Sequence, residues 1–189
     1  MANKVIIFSA PSGSGKSTIV NHILGLHPEM EFSVSATSRS PRGEEVDGVE
    51  YLFYSAETFR TLIADNKFVE YEEVYQDKFY GTLKSEVDRI WANDHVIIFD
   101  VDVKGGYNLK KYFGEQALSI LICPPSLETL RERLIGRATD TMEAIEERLA
   151  KASSELEFAA GKFDVDLVND VLAETFANAE RIVDEFLAE

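Results

Sequence analysis

Residues 5–18 read Val-Ile-Ile-Phe-Ser-Ala-Pro-Ser-Gly-Ser-Gly-Lys-Ser-Thr, an apolar run followed directly by a loop rich in glycine and serine. The run predicts a buried strand, and the apolar spacing after the loop predicts an amphipathic helix. Gly13 and Gly15 let successive backbone N–H groups curl around a phosphate without a Cβ clash, and the helix adds its positive N-terminal end. Lys16 can reach the β- and γ-phosphates of a bound nucleotide, and the Ser17 hydroxyl can ligate Mg²⁺. The flanking strand and helix favour a nucleoside triphosphate site over a plain turn of small residues.

The composition limits the size, location and partners of the protein. A chain of 189 residues with 45% hydrophobic residues is expected to fold as one domain, with or without small insertions. A net charge of −15 disfavours nucleic acid and anionic membranes as partners. No run approaches the ~18 apolar residues that span a bilayer. The start of the chain does not resemble a signal peptide, and the single Cys123 cannot form an internal disulfide, so we expect a cytoplasmic protein.

Four strand-length apolar runs alternate with helical patterns along most of the chain. The runs are residues 5–8, 96–99, 118–122 and 165–168. Helical spacing recurs after them in three late segments, and Ser126 is the expected N-cap of the first of these helices. This alternation predicts an α/β fold whose core has three layers, a parallel sheet with helices on both faces.

Two segments interrupt this alternation. Residues 33–82 contain short aromatic and β-branched stretches among glycine and acidic residues. This pattern predicts a small sheet inserted after the second strand, with one helix near residues 56–66. Residues 136–141 join two charged helices and are predicted to form a mobile lid.

Two arginines in a loop of hydroxyl residues are candidates for a second phosphate site. Arg39 and Arg42 stand three apart, and guanidinium forks pair with phosphate oxygens in a bidentate manner. The hydroxyl groups of Tyr51 and Tyr80 have the reach to join them. A pair of solvated surface arginines is the alternative that this segment leaves open.

Carboxylates follow at two places where a ligand can use them. Glu70 can accept the N1–H and N2–H₂ donors of guanine while the Thr82 hydroxyl serves O6. Taken by itself, however, Glu70 is better explained as an exposed residue of an alternating strand. Asp100 and Asp102 come at the end of the 96–99 strand, where open α/β sheets bind ligands. An aspartate there commonly organises Mg²⁺ through water, and one of the two is also a candidate N-cap for the next helix.

Three arginines in the late helices are candidates for the transferring group. Phosphoryl transfer spreads negative charge over the moving group, and arginines that close over it stabilise the transition state. Arg133 and Arg137 are spaced i, i+4 and can share a helix face, and Arg148 follows in the next helix. Surface pairing with Glu128 and Glu132 is the alternative.

The order of these motifs resembles the guanylate kinase family. The shared segments are Ala-Pro-Ser-Gly-Ser-Gly-Lys-Ser, Ser-Val-Ser-Ala-Thr-Ser-Arg-Ser-Pro-Arg, Gly-Val-Glu-Tyr-Leu-Phe, Phe-Val-Glu-Tyr, Tyr-Gly-Thr, Asp-Val-Asp-Val-Lys-Gly, Pro-Pro-Ser and Val-Asn-Asp. They extend over essentially the whole chain, and their ordered combination is far more specific than any one of them. Ala10 replaces the common first glycine of the loop, Ala138 a common lid glycine, and Ser38 and Ser40 common threonines. None of these departures removes a charged group.

The resemblance implies a three-part protein that uses ATP to phosphorylate GMP, giving ADP and GDP, in purine nucleotide metabolism. The parts would be a core of residues 1–32, 83–125 and 160–189, a small mixed-sheet GMP-binding insertion of residues 33–82 and a helical lid of residues 126–159. The implied ATP-binding residues are Ser12, Gly13, Ser14, Gly15, Lys16, Ser17, Thr18 and, near the adenine, Asn169. The implied GMP-binding residues are Ser35, Arg39, Arg42, Tyr51, Glu70, Tyr80, Thr82 and Asp102. The implied catalytic residues are Lys16, Arg39, Asp100, Arg133, Arg137 and Arg148, with Mg²⁺ held by Ser17 and, through water, Asp100.

Two other functions remain alternatives at this point. Some guanylate-kinase-like domains bind peptides and lack catalysis, and such a module is expected to lack a working phosphate loop. The chain has the residues that the reaction needs: Lys16, Ser17, Arg39, Arg42 and Asp100. A kinase for another nucleotide is disfavoured by Glu70 with Thr82, because adenine offers no N1–H to a carboxylate. The expected partners are therefore the small molecules ATP and GMP, and the sequence assigns no oligomeric state.

Overall fold

The computed structural model describes residues 3–136 and 141–189, which form nine strands and seven α-helices. The strands are β1 (Val5–Ser9), β2 (Met30–Phe32), β3 (Ala36–Thr37), β4 (Leu52–Phe53), β5 (Phe68–Tyr75), β6 (Lys78–Leu83), β7 (Val96–Val101), β8 (Ala117–Cys123) and β9 (Val165–Val168). The helices are α1 (Lys16–Leu26), α2 (Ala56–Ala64), α3 (Lys84–Ala92), α4 (Val103–Phe113), α5 (Leu127–Gly136), α6 (Met142–Ala159) and α7 (Leu172–Ala188). A short 3₁₀-helix, Gly114–Gln116, precedes β8. None of the described helices combines the length and the apolar character needed to cross a membrane.

Five parallel strands form the core sheet in the order β2–β7–β1–β8–β9. β1 lies in the centre, so its alternate side chains enter two different hydrophobic clusters. Ile6 and Phe8 pack with α1 and α7, whereas Val5 and Ile7 pack with α3 and α4. The predicted three-layer core is confirmed, and the four predicted strands end within two residues of the observed bounds. β2 is a fifth, three-residue strand at the edge, too short to stand out as an apolar run.

A second sheet, in the order β4–β3–β6–β5, forms beside the core. It is mixed, because β3 pairs in parallel with β4 and antiparallel with β6. α2 covers one face through Phe59, which stacks on Phe68 and Phe79 with ring centroids 4.4 and 5.3 Å away. The predicted inserted sheet and its helix are confirmed, and the helix ends at Ala64, two residues before the predicted end.

Helices α5 and α6 form a pair next to the loop that follows β1. Leu130 and Leu134 of α5 pack against Ile145 of α6. Ser126 caps α5 as predicted, because its Oγ accepts a hydrogen bond from a first-turn N–H at 3.0 Å. Residues 137–140 of the predicted lid loop lie outside the described residues, so a mobile lid stays a prediction.

Candidate active site

The loop between β1 and α1 has the backbone conformation for which glycine is required. Gly13 has a φ of 95° and Gly15 a φ of 89°, both in the left-handed region. A Cβ on Gly15 would also lie 2.4 Å from the Nδ2 of Asn169. The N–H of Ser14 donates to the carbonyl of Pro11 at 3.2 Å and closes the turn. Residues 10–18 together line a cleft of about 530 Å³, which brings the predicted ATP-binding loop residues to one surface.

Asn169 and Arg133 brace this loop from the side of β9. The buried Asn169 donates from Nδ2 to the carbonyl of Ser14 at 2.8 Å, and Arg133 donates from Nη2 to the carbonyl of Asn169 at 2.8 Å. Both residues also border a shallower cleft of about 460 Å³ beside Gly13 and Thr18. The side chain of Asn169 therefore holds the loop in shape, and its contact with adenine stays a prediction.

Lys16, Ser17 and Asp100 form a polar cluster at the carboxyl ends of β1 and β7. Lys16 donates from Nζ to the carbonyl of Val101 at 2.5 Å and forms an ion pair with Asp100. Ser17 donates from Oγ to Oδ2 of Asp100 at 3.3 Å. Hydroxyl and carboxylate oxygens suit Mg²⁺, which usually keeps several waters and takes further ligands from phosphates. Within the described ranges no cluster of three or more His, Cys, Asp and Glu side chains could hold a metal ion by itself. The oxygens of Ser17 and Asp100 fit, by their chemistry, a cation that arrives with a nucleotide.

Arg39 lies at the centre of the second predicted phosphate site. It is only 8% exposed, and its guanidinium carbon lies 4.8 Å from the ring centroid of Tyr51 and 5.6 Å from that of Phe53. The ring of Tyr80 packs edge to face on that of Tyr51, with ring centroids 6.0 Å apart. Burial raises the pKa of Tyr51 above its ordinary value, which keeps the phenol a neutral donor. Arg42 lies exposed in the same loop.

Glu45 pairs with Arg39, an interaction that no sequence pattern indicated. The Nη1 and Nη2 of Arg39 donate to Oε2 and Oε1 of Glu45 at 2.6 and 2.7 Å. The backbone N–H of Arg42 donates to the same Oε2 at 2.8 Å. These hydrogen bonds, that from Arg39 first, lower the pKa of Glu45 to about 2. Glu45 is therefore a charged partner of the predicted phosphate-binding arginine.

Glu70 and Thr82 face each other across β5 and β6. The Oγ1 of Thr82 donates to Oε1 of Glu70 at 3.2 Å. The pKa of Glu70 is raised to about 7, chiefly by burial and also by the nearby charges of Asp102 and Glu72, while the hydrogen bond from Thr82 opposes the shift. Glu70 is thus a partly buried residue with a perturbed pKa, which argues against an ordinary exposed strand position.

Asp102 both caps α4 and lines the cleft in front of Glu70. Its Oδ1 accepts a hydrogen bond from the N–H of Gly105 at 2.8 Å, so the capping alternative applies to Asp102 and not to Asp100. A cleft of about 420 Å³ connects the two predicted sites. Its lining includes Lys16, Ser35, Tyr51, Glu70, Tyr80, Asp100 and Asp102.

α6 contributes charged side chains to the cleft that the phosphate loop lines. Arg148 donates from Nη1 to the Oγ of Ser12 at 3.3 Å. Lys151 and Glu155, which were not predicted, line the same cleft as the loop, and burial raises the pKa of Glu155. Lys151 and Glu155 follow Arg148 at i+3 and i+7, so all three lie on one helix face. This helical spacing is the sequence signal that could have identified them. Arg137 lies outside the described residues.

Comparison with known proteins identifies close relatives along nearly the whole chain. Residues 2–186 match a family model described as Guanylate kinase. The chain is 58% identical over 184 residues to a guanylate kinase of Bacteroides fragilis, covering 97% of this chain and 90% of the relative. It is 52% identical over 186 residues to a guanylate kinase of Porphyromonas gingivalis, covering 98% of each. A crystal structure of guanylate kinase from Anaplasma phagocytophilum matches the fold with a TM-score of 0.72 at 26% identity, over 99% of this chain and 86% of that one.

Proposed function

Since the chain belongs to the guanylate kinase family and uses ATP to phosphorylate GMP to GDP, we propose that the reaction takes place in the cleft that Lys16 shares with Glu70. One observation supports this location most directly. A single cleft of about 420 Å³ is lined by Lys16 and Asp100 from the core and by Glu70 and Tyr80 from the second sheet. A phosphoryl donor and its acceptor must meet within bonding distance, and this shared lining brings the two predicted sites together.

The base pocket selects guanine through Glu70 and Thr82. The ionised carboxylate accepts the N1–H and N2–H₂ donors of the base, and the threonine hydroxyl donates to O6. Ser35 and Asp102 complete the lining. Adenine has no N1–H and leaves the buried carboxylate unpaired, so AMP is rejected by the cost of an unsatisfied charge.

The phosphate of GMP is held by Arg39, Arg42, Tyr51 and Tyr80 in this proposal. The support is the cluster itself, in which the packed rings of Tyr51 and Tyr80 lie beside one buried guanidinium. Arg42, three residues along the same loop, supplies a second positive charge from the rim. Charge-assisted hydrogen bonds of this kind fix both the position and the orientation of a phosphate.

Transfer requires alignment and charge stabilisation, and no covalent enzyme intermediate. A phosphate oxygen of GMP forms a bond to the γ-phosphorus of ATP while the bond from that phosphorus to the β–γ bridging oxygen breaks, which leaves ADP. Lys16 contacts the β- and γ-phosphates. Arg133, Arg148 and Arg137, the last outside the described residues, offset the charge that develops on the moving group.

Ser17 and Asp100 are the residues that would hold Mg²⁺, the serine directly and the aspartate through water. Bound there together with ATP, the cation would neutralise charge on the phosphates. The ion pair between Lys16 and Asp100 keeps both side chains at the edge of the sheet where the phosphates bind.

Closure of two mobile parts would protect the reaction from water. We assign the core to residues 1–32, 83–125 and 160–189, the GMP-binding part to residues 33–82 and the lid to residues 126–159. An open site would hydrolyse ATP, so both parts are expected to move inward when the two substrates are bound. The contact of Arg148 with Ser12 supports this role for α6, because it already carries an arginine to the phosphate loop.

We further propose that the protein acts on free nucleotides in the cytoplasm, without nucleic acid or membrane partners. The net charge of −15 supports this, since extended polyanions would be repelled. GMP and ATP are small anions whose charge is met by a few local cations.

Substrate choice is tested with purified protein, Mg-ATP and either GMP, AMP, CMP or UMP, with ADP formation as the readout. We expect turnover with GMP alone, and none in a Lys16→Ala control. Equal turnover with AMP would contradict the role of Glu70 and Thr82. A folded protein without turnover on any acceptor would favour the peptide-binding alternative, which no observation above supports.

A further inference from the structure

The guanidinium of Arg39 has two edges from which it can donate a pair of parallel hydrogen bonds. Its end, Nη1 with Nη2, is taken by the carboxylate of Glu45 at 2.6 and 2.7 Å. The second hydrogen of Nη1 is directed to the carbonyl of Ser40 at 3.0 Å. Nε is buried and has no hydrogen-bond partner in the described part of the chain. The side edge, formed by Nε–H and the second Nη2–H, is therefore the donor pair that Glu45 leaves for another anion.

Glu45 is itself fixed to the loop that carries Arg39. Its Oε2 accepts the backbone N–H of Arg42 at 2.8 Å, and its own N–H donates to the carbonyl of Arg42 at 3.1 Å. Its side chain is 22% exposed, so the pair lies at the boundary between the loop and solvent. The carboxylate is thus tied to the backbone at one side and to the guanidinium at the other.

We propose that Glu45 is a positioning residue for GMP: it holds the end of the Arg39 guanidinium and so keeps the side edge for the GMP phosphate. This inference rests on the proposed function, in which Arg39 binds that phosphate. An arginine has several flexible torsions, and a phosphate that must order them first is bound less tightly. Glu45 fixes the guanidinium in advance against the rings of Tyr51 and Phe53.

The opposite effect of Glu45 is also physically possible, which makes the test sharp. A carboxylate next to a phosphate site repels the phosphate and neutralises the arginine. If this repulsion dominated, removal of the charge would strengthen GMP binding. If positioning dominates, removal of the charge weakens GMP binding although the site becomes more positive.

Glu45→Gln tests the proposal, with Glu44→Gln as the matched control. Glu44 is the exposed neighbour, so its substitution removes the same charge one residue away. We expect Glu45→Gln to raise the KM for GMP about tenfold, as for the loss of one charge-assisted hydrogen bond, with kcat and the KM for ATP within about twofold of the native values. Glu44→Gln should leave all three unchanged. Guanosine, which lacks the phosphate, should bind the Glu45→Gln variant as well as it binds the native chain.

Arg39→Ala and the double variant separate failure of this inference from failure of the proposed function. In the Arg39→Ala background, Glu45→Gln should have no further effect, because Glu45 acts through Arg39. Suppose that Arg39→Ala raises the KM for GMP but Glu45→Gln leaves that KM unchanged or lowers it. This pair of results overturns the inference and leaves the proposed function intact. The inference is also overturned if Glu45→Gln weakens the binding of guanosine as much as that of GMP, because a loss independent of the phosphate indicates a damaged loop. If Arg39→Ala leaves the KM for GMP unchanged, the phosphate assignment itself is wrong.

Discussion

Glu70→Gln is expected to stabilise the protein at alkaline pH and, at the same time, to remove its selectivity for guanine. Burial raises the pKa of Glu70 from 4.5 to about 7, so the folded protein binds this proton more tightly than the unfolded chain does. As the pH rises through this range, the unfolded chain loses the proton first, and ionisation favours unfolding. The carboxylate therefore lowers the free energy of unfolding by about 3 kcal/mol near pH 8 but by only about 1 kcal/mol near pH 5.

Urea denaturation of the native chain and the variant at both pH values measures this effect. Gln keeps an oxygen for the hydrogen bond from Thr82 but buries an amide, and this cost is the same at both pH values. The quantity to compare is the free energy of unfolding of Glu70→Gln minus that of the native chain. We expect this difference to be about 2 kcal/mol larger, in favour of the variant, near pH 8 than near pH 5. Glu73→Gln is the control, because it removes a charge from an exposed position of the same strand.

An equal stability difference at the two pH values would refute the reasoning, because the ionised carboxylate would then not be desolvated in the folded protein. The same variant should lose roughly 100-fold in kcat/KM for GMP, since an amide presents a donor where guanine also presents one. The KM for ATP should stay within about twofold. A gain in stability together with a loss of activity is the expected signature of a carboxylate that is retained for recognition.

Three further outcomes follow from the same site. The KM for GMP should rise as the pH falls below about 7, by up to about tenfold per pH unit, because protonated Glu70 cannot accept both guanine donors; Glu70→Gln should abolish this dependence, and a flat native profile would contradict it. Arg42→Ala should raise the KM for GMP and for any residual AMP reaction alike, by about tenfold, whereas an effect on GMP alone would assign Arg42 to the base. Gly15→Ala should abolish the use of ATP in kinetic assays, because its Cβ would lie 2.4 Å from Nδ2 of Asn169 at a φ of 89°. Gly25→Ala, whose Cβ meets nothing within 4 Å in α1, should remain active and gain up to about 1 kcal/mol of stability, and full activity in Gly15→Ala would show that the loop tolerates another conformation.

The core strands were predictable because their signal is local. β1, β7 and β8 are buried on both faces, so each reads as a continuous apolar run without reference to its neighbours. β2 and β3 carry no such signal. They have three and two residues, and they exist because of pairing with β7 and β6, which are distant in sequence.

The candidate site was predictable where chemistry restricts the residue type. A phosphate loop needs glycine at positive φ and a lysine at the start of the helix, and these residue types can be recognised directly in the sequence. Glu45 could not be found in this way, because an acidic residue in a polar loop is ordinary until its partner is known. The bracing role of Asn169 was equally hidden, since its hydrogen bond to Ser14 joins residues 155 positions apart.

The acidity of the chain has two opposing consequences within one site. Lys16 pairs with Asp100 and Arg39 with Glu45, so the cations assigned to the two substrates' phosphates are balanced by neighbouring carboxylates. Long-range attraction of nucleotides is therefore weak, and affinity has to come from donors held in fixed directions. The same acidic surroundings, with burial, raise the pKa of Glu70 and make its ionised form costly in the folded protein. In the proposed base pocket, guanine would offset that cost with two N–H donors and adenine would not, so only the correct base would compensate the desolvated carboxylate.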